Sequence, residues 1–241
     1  MIRVFKDKSE LSQAAADIFV QTAREAVEQN GKFTVALTGG TSPDELYKLL
    51  AQSPYREQVP WEKTFIFWGD ERWVPLTDER SNARMAKQAL LEQVPVPEEQ
   101  VFPMFWEGTP EEFALQYEQQ LLKVLGPTPQ FDLILLGMGD DGHTASLFPG
   151  TAVLQEKNKW VAAYFLEPQD MYRITLTAPC LNQAKKIVFL TFGDKKAKAL
   201  YEVLEGERNP SQYPSQLIQP QSGEPIWLVD EAAVRLLTRK E

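Results

Sequence analysis

Residues 132–143 read Asp-Leu-Ile-Leu-Leu-Gly-Met-Gly-Asp-Asp-Gly-His, and this stretch decides the fold class. Its first five residues, 132–136, form an almost unbroken apolar run, which is typical of a strand covered on both faces of a parallel sheet. A glycine-rich loop with two carboxylates and a histidine follows at once. Open α/β sheets bind ligands beyond the carboxyl ends of their strands, so a functional site is expected in loops of this kind.

The rest of the chain alternates between strand and helix patterns in the same way. Strands are predicted at residues 2–5, 33–37, 64–68, 132–136, 160–166, 172–177, 187–192 and 226–229, and helices at 9–30, 81–91, 110–125, 197–204, 231–237 and from 42 onward. This alternation predicts an α/β fold with a mostly parallel, doubly wound (Rossmann-like) sheet and helices on both faces. No low-complexity linker or internal repeat interrupts it, so we expect a single domain over residues 1–241, with the proline-rich stretch 209–225 as a surface loop.

The composition excludes several classes of protein. The 241 residues are 43% hydrophobic and 24% charged, ordinary values for a soluble globular protein. The chain has one cysteine, Cys180, and one histidine, His143, so it cannot form an intramolecular disulfide or supply the about four Cys and His ligands of a structural zinc. Cys180 has no assignable partner base and is expected in the core.

The net charge of −9 argues against nucleic acid as a partner, because nucleic-acid-binding proteins usually present a basic face. The first residues carry no apolar run like that of a signal peptide, and no stretch approaches the about 20 apolar residues of a membrane span. We therefore expect a cytoplasmic protein that does not bind membranes. An anionic ligand would need local positive charge set against the acidic whole.

Two loops that follow predicted strands carry groups suited to anions. Residues 38–43 read Thr-Gly-Gly-Thr-Ser-Pro, and the glycines with the hydroxyls at a helix start form a phosphate-binding arrangement. Ser42 is also the predicted cap of that helix, with Glu45 completing a capping box. Residues 193–198 bring three lysines to a helix start, where the helix dipole prefers an anion. The alternatives are a plain βα turn for the first loop and solubilising lysines for the second.

A third loop carries Asp70, Glu71 and Arg72 directly after the predicted strand 64–68. Arg72 can clamp a phosphate or a carboxylate through paired hydrogen bonds. The alternative is a surface ion pair, which would be worth little. Arg84, on the following helix, points either back to this loop or into water.

The fourth loop contains His143, the single histidine of the chain. Histidine suits general-base catalysis because its ordinary pKa lies near neutrality, and Asp141, two residues earlier, can orient the ring. The loop also contains the pattern G-x-G-x-x-G, which is found in dinucleotide-binding proteins. We disfavour that reading because Asp140 and Asp141 would stand where a pyrophosphate needs neutral amides.

Together these loops resemble the 6-phosphogluconolactonases, in that family's order, over roughly residues 33–200. The matching segments are Gly39-Gly40-Thr41-Ser42-Pro43, Asp70-Glu71-Arg72 with Val74-Pro75, Ser81-Asn82, residues 137–149, Arg173-Ile174-Thr175-Leu176-Thr177, and Gly193 with Lys196-Ala197. Segment 137–149 is highly specific, whereas each of the others would be weak alone.

The resemblance implies a hydrolase of the oxidative pentose phosphate pathway that opens 6-phospho-D-glucono-1,5-lactone to 6-phospho-D-gluconate without metal or cofactor. It places the general base at His143, with Asp141 to orient it and Arg72 near the lactone ring or the forming carboxylate. It implies that Gly39, Gly40, Thr41, Ser42, Arg173 and Lys196 bind the substrate phosphate, with Asp70 as a further substrate-binding position. Backbone amides of residues 137–142 are expected to stabilise the oxyanion. The oligomeric state stays open, and a monomer is compatible with the sequence.

Three other functions are weighed against this one. Glucosamine-6-phosphate deaminases resemble the family in fold and in the histidine loop, but there the histidine is followed by Ile-Ala-Phe-Asn-Glu-Pro. Here residues 144–149 read Thr-Ala-Ser-Leu-Phe-Pro, so the ring-opening glutamate is missing. A non-catalytic sugar-phosphate sensor would often carry a basic DNA-reading segment, and none is visible. A nicotinamide-dependent dehydrogenase is a more distant alternative.

Overall fold

The structure, a computed structural model, describes residues 1–105 and 108–238. Its strands are β1 (Ile2–Phe5), β2 (Phe33–Leu37), β3 (Thr64–Trp68), β4 (Asp70–Arg72), β5 (Leu133–Gly137), β6 (Val161–Leu166), β7 (Met171–Leu176), β8 (Ile187–Thr191) and β9 (Ile226–Asp230). Its helices are α1 (Lys8–Asn30), α2 (Asp44–Leu50), α3 (Tyr55–Gln58), α4 (Asn82–Ala89), α5 (Pro110–Leu125), α6 (Ala178–Leu181) and α7 (Ala197–Leu204).

Within the described ranges, six strands form one parallel sheet in the order β1-β9-β8-β5-β2-β3. The apolar strand β5 lies between β2 and β8, and its first four residues, Leu133 to Leu136, are buried. Parallel neighbours need crossover connections, which explains the helices between the strands. The α/β fold class predicted from the alternation is confirmed, and the core is built on both faces of this sheet.

A second, antiparallel sheet of order β4-β7-β6 was not predicted. Strands β6 and β7 form a hairpin whose turn ends at Asp170 in the left-handed conformation, with φ of 48°. The chain passes from one sheet to the other at Gly69, whose amide donates to the Leu37 carbonyl of β2 while its own carbonyl accepts from Leu176 of β7. Residues 70–72, expected in a loop, are therefore a short strand that anchors the small sheet beside β3.

Three local predictions are wrong. Helix α2 begins at Asp44 with Pro43 as its cap and no side-chain capping bond, so Ser42 does not cap this helix. Residues 231–236 form turns rather than a helix. The stretch 209–225 is only partly on the surface, since residues 214–217 form a 3-10 turn with buried side chains.

One hydrophobic core connects both sheets and the helices around them. Cys180 lies fully buried in it, as expected. Helix α5 begins at the capping box of Thr109 and Glu112, and α1 ends at Gly31 in the left-handed conformation, both at the predicted positions. In the described part of the chain, no helix combines the length and the apolar character needed to cross a bilayer.

Candidate active site

A cavity of about 250 Å³ opens at the carboxyl edge of the parallel sheet, beside the small sheet. It is lined by nine predicted site residues, Gly39, Gly40, Thr41, Ser42, Asp70, Arg72, His143, Arg173 and Lys196. Asp141, the tenth, lies behind the histidine. The structure therefore brings all four unusual loops to one place, because parallel strands end at the same edge of the sheet.

His143 is held by Asp141 through two hydrogen bonds. Its Nδ1 lies 2.6 Å from Asp141 Oδ1, and its backbone amide donates to the same oxygen. A carboxylate is only an acceptor, so Nδ1 carries the proton and Nε2 keeps a lone pair. Burial acts to raise the pKa of Asp141, but hydrogen bonding and charge from His143 outweigh it and hold that pKa below its usual value. In the neutral ring, this bond therefore selects the tautomer in which Nε2 is the nitrogen without a proton.

The loop before His143 folds tightly upon itself. The Gly139 amide donates to the His143 carbonyl and the Gly142 amide donates to the Gly139 carbonyl. A Cβ on Gly139 would lie 2.1 Å from His143 Nδ1, so a side chain at this position would displace the ring. The amides of Gly139 and Gly142 are engaged inside the loop, so these two of the amides of residues 137–142 are not available to an oxyanion.

Phe148 fixes the other side of the histidine ring. The two rings are stacked, with centroids 3.9 Å apart and planes inclined by 22°. The guanidinium of Arg173 lies 5.4 Å from the Phe148 centroid. Phe148 lines the cavity and was not predicted as a site residue, although it lies in the most specific matching segment. The one sequence feature that could have indicated Phe148 as a site residue is its position five residues after His143.

Arg173 is a buried cation with a carboxylate beside it. It is 3% exposed, and its Nη1 lies 3.7 Å from Asp70 Oδ2. Ser146 Oγ donates to the same Asp70 oxygen at 2.6 Å, and Arg173 Nη2 donates to Gln169, a lining residue that sequence reasoning missed. Burial lowers the pKa of Arg173, Asp70 opposes that effect, and Arg72 adds to it. The Nε of Arg173 has no partner among the described residues, so the cation retains a free donor.

Glu71 is not the surface ion pair that its sequence context allowed. It is buried and accepts hydrogen bonds from the amides of Arg72, Asn82 and Ala83 and from the Ser81 hydroxyl. It thereby caps helix α4 and fixes both Arg72 and Asn82 at the cavity wall. Burial raises the pKa of Glu71 to about 7, against the effect of those four hydrogen bonds.

The polar residues near Glu71, which are Arg72, Asn82 and Arg84, differ in their hydrogen bonds and in whether they line the cavity. Asn82 Nδ2 donates to the Asp70 carbonyl, whereas its buried Oδ1 has no partner in the described residues. Arg72 Nη1 donates to the Arg80 carbonyl at 2.7 Å. Arg84 donates to the Thr77 carbonyl and is not among the lining residues, so it does not point back to the site.

Of the three lysines near the start of α7, only Lys196 lines the cavity. Its Nζ lies 2.5 Å from Asp140 Oδ1. A fourth lysine, Lys8, donates to the Thr41 carbonyl at 2.9 Å and lies over the Phe192 ring at the end of β8. Lys196 lines the same cavity as loop 38–43, and Lys8 bonds that loop. Arg72 and Arg173, by contrast, come from the small sheet.

No group of three or more His, Cys, Asp or Glu side chains is arranged to hold a metal ion within residues 1–105 and 108–238. The expectation that the chain acts without metal or cofactor stays a prediction.

The fold and the cavity define an α/β protein with a histidine–aspartate pair and a cluster of cations at the carboxyl edge of a parallel sheet. A family model described as “Glucosamine-6-phosphate isomerases/6-phosphogluconolactonase” matches residues 6–227, and the chain belongs to this family.

Relatives cover nearly the whole chain. The 6-phosphogluconolactonase of Synechocystis sp. is 42% identical over 237 residues, which are 96% of each chain. The solved structure of 6-phosphogluconolactonase from Trypanosoma cruzi aligns with a TM-score of 0.86 at 28% identity, over 99% of this chain and 97% of that one. A monomeric glucosamine-6-phosphate deaminase aligns with a TM-score of 0.83 over 98% and 99% of the two chains, but at 22% identity this likeness concerns the fold alone.

The histidine tautomer can be read directly, because the chain has one histidine. At a pH where the ring is neutral, we expect nitrogen-15 NMR to show a protonated Nδ1 in the wild type, set by the bond to Asp141. The substitution Asp141→Ala removes that acceptor and should shift the population toward protonated Nε2. Asp140→Ala, which removes the adjacent carboxylate without touching the ring, should leave the tautomer unchanged. A wild type already protonated at Nε2 would contradict the arrangement.

The raised pKa of Glu71 predicts a pH-dependent stability. The folded state binds a proton on Glu71 more tightly than the unfolded state, so its contribution to stability is complete below about pH 4.5 and is lost as the pH rises through about 7. Glu71→Gln removes this titration. Between pH 5 and pH 8, the free energy of unfolding of the wild type should fall by about 2 kcal/mol relative to the variant. Urea unfolding of both proteins measures this, and an equal difference at the two pH values would refute it.

Proposed function

We propose that this chain hydrolyses 6-phospho-D-glucono-1,5-lactone to 6-phospho-D-gluconate, a reaction of the oxidative pentose phosphate pathway. The observation that carries the proposal is the His143–Asp141 pair inside a cavity that also holds Arg72, Arg173 and Lys196. One oriented base suits the activation of water, and the cations suit an anionic sugar. The names of relatives such as the Synechocystis protein support the same substrate.

In the proposed mechanism, His143 Nε2 takes a proton from water as its oxygen forms a bond to the lactone carbonyl carbon. The resulting tetrahedral oxyanion collapses, the bond from that carbon to the ring oxygen breaks, and the imidazolium returns its proton to the ring oxygen. Asp141 stabilises the imidazolium between these steps. A lactone is already an activated ester, so general-base help of about 10²–10⁴-fold together with positioning is sufficient.

The substrate phosphate is proposed to lie at the end of the cavity formed by residues 39–42 and Lys196. There the loop amides at the start of α2 and the lysine supply donors, and Lys8 holds the loop through the Thr41 carbonyl. The two arginines belong to the small sheet, and Arg173 stacks on the Phe148 ring that packs on His143. We therefore place Arg173 with Arg72 beside the lactone and its forming carboxylate, rather than at the phosphate as the resemblance implied.

The alternative activity, deamination of glucosamine 6-phosphate, finds less support in the residues. The position of the ring-opening glutamate in that enzyme is taken here by Phe148, which cannot transfer a proton. A sensor without catalytic activity would bind 6-phosphogluconate without turning over the lactone. Two further assays accompany the lactonase assay. Ammonia release from glucosamine 6-phosphate tests the deaminase alternative, and binding of 6-phosphogluconate without lactone turnover tests the sensor alternative.

Replacing the proposed base tests the mechanism. His143→Ala should lower the rate of acid release from fresh 6-phosphogluconolactone, corrected for spontaneous hydrolysis, by about 10²–10⁴-fold. Because the phosphate end of the cavity is untouched, calorimetric binding of 6-phosphogluconate should persist and shows that the variant is folded. Turnover equal to that of the wild type would refute His143 as the base.

Replacing the proposed phosphate lysine tests substrate binding. Lys196→Met should raise KM for the phosphorylated lactone by about 10–100-fold, since a charge-assisted hydrogen bond is worth about 1.5–3 kcal/mol. The unphosphorylated gluconolactone should be affected much less. Lys198→Met, two residues along and outside the cavity lining, is the control for lost positive charge. Equal losses with both lactones would contradict a phosphate-binding role.

A further inference from the structure

We propose that Asp140 is a specificity-determining residue, an internal counter-anion that occupies Lys196 until the phosphate of a substrate displaces it. This inference rests on the proposed function, in which Lys196 binds the phosphate. It assigns separate tasks to two adjacent carboxylates, because Asp141 bonds the histidine while Asp140 bonds the lysine.

The geometry places the pair at the mouth of the cavity. Asp140 lies in the loop after β5, and Lys196 lies in the 3-10 turn after β8, the strand that pairs with β5. The lysine side chain is 24% exposed and lines the cavity, whereas the Asp140 side chain is 57% exposed and is not a lining residue. The carboxylate can therefore turn into solvent while the ammonium group stays where it is.

The ion pair has no evident structural task. A pair with one partner this exposed is worth little to stability. Within the described ranges, the Asp140 side chain makes no other hydrogen bond or ion pair, so its carboxylate orders no backbone group. The contact neutralises the Lys196 ammonium, in a cavity where Arg173 already has Asp70 as its ion-pair partner.

Neutralisation at rest favours ligands of higher charge. An incoming anion must compete with the Asp140 carboxylate for the Lys196 ammonium, which is a compact point charge with three donors. A phosphate dianion brings more charge and more acceptor oxygens than a carboxylate, so it wins this competition. Singly charged anions gain little over the carboxylate that they replace. Asp140 thus weakens binding of every anion at Lys196 and leaves useful affinity to phosphate.

Calorimetric titration with inorganic phosphate tests this without any turnover. Asp140→Asn should tighten phosphate binding about threefold to tenfold, since the competing charge is removed while the shape is kept. Asp140→Glu keeps the charge and should retain the wild-type affinity. Asp194→Asn removes the same charge two residues from Lys196, at a carboxylate paired with Arg235, and should change affinity less than twofold.

Each outcome decides the matter. Weaker phosphate binding by Asp140→Asn would mean that the carboxylate orients the lysine for the ligand, and would overturn the proposal. Equal effects of Asp140→Asn and Asp194→Asn would mean that phosphate binding responds only to the net charge of the protein, and would overturn the proposal. Phosphate binding by Asp140→Glu as tight as that by Asp140→Asn would overturn it too.

Kinetics separate this proposal from the proposed function. With the lactonase reaction established, Asp140→Asn should lower KM for 6-phosphogluconolactone by a similar factor, with the change in KM rather than kcat, and should not alter KM for the unphosphorylated lactone. A wild type that does not hydrolyse the lactone refutes the proposed function, yet the phosphate titration still answers whether Asp140 competes for Lys196.

Discussion

The contact among Ser146, Asp70 and Arg173 is the interaction on which the site depends. Asp70 is the first residue of β4, Arg173 lies in β7, and Ser146 lies in the loop that carries His143. All three side chains are buried, and a buried charge is tolerated only when it is paired and hydrogen-bonded. The small sheet and the histidine loop therefore cannot move apart without exposing an uncompensated ion, which fixes His143 relative to the arginines.

The same compensation explains how an acidic protein maintains a cationic cavity. The chain carries a net charge of −9, yet Arg72, Arg173 and Lys196 converge on one cavity. Two of these cations have a carboxylate at hand, Asp70 beside Arg173 and Asp140 beside Lys196. These carboxylates reduce the electrostatic cost of gathering three like charges in one cavity. Local ion pairs therefore balance much of the positive charge of the cavity within an acidic protein.

The parts of this arrangement that follow from sequence are those set by the parallel sheet. Apolar strands such as β5 are recognisable, and parallel strands bring their following loops together, which is why predicted residues far apart in sequence line one cavity. Strand β4 was missed because three residues carry no periodicity and are defined only by pairing with β7. The cap expected at Ser42 is absent because the helix begins one residue later, at Asp44, so that Pro43 takes the cap position. Phe148 and Gln169 were not predicted as site residues because the direction of a side chain in a loop has no sequence signature.

The stacking of Phe148 on His143 bears on which reaction the fold can support. The resemblance to the glucosamine-6-phosphate deaminases places their ring-opening glutamate at this position, where this chain has an aromatic ring. The ring covers one face of the imidazole and fixes its plane, while Asp141 fixes its tautomer. Under the proposed function, these contacts hold His143 as a well-oriented base. Hydrolysis of an activated ester, the proposed reaction, fits this arrangement, because the same nitrogen can take a proton from water and return it to the leaving oxygen.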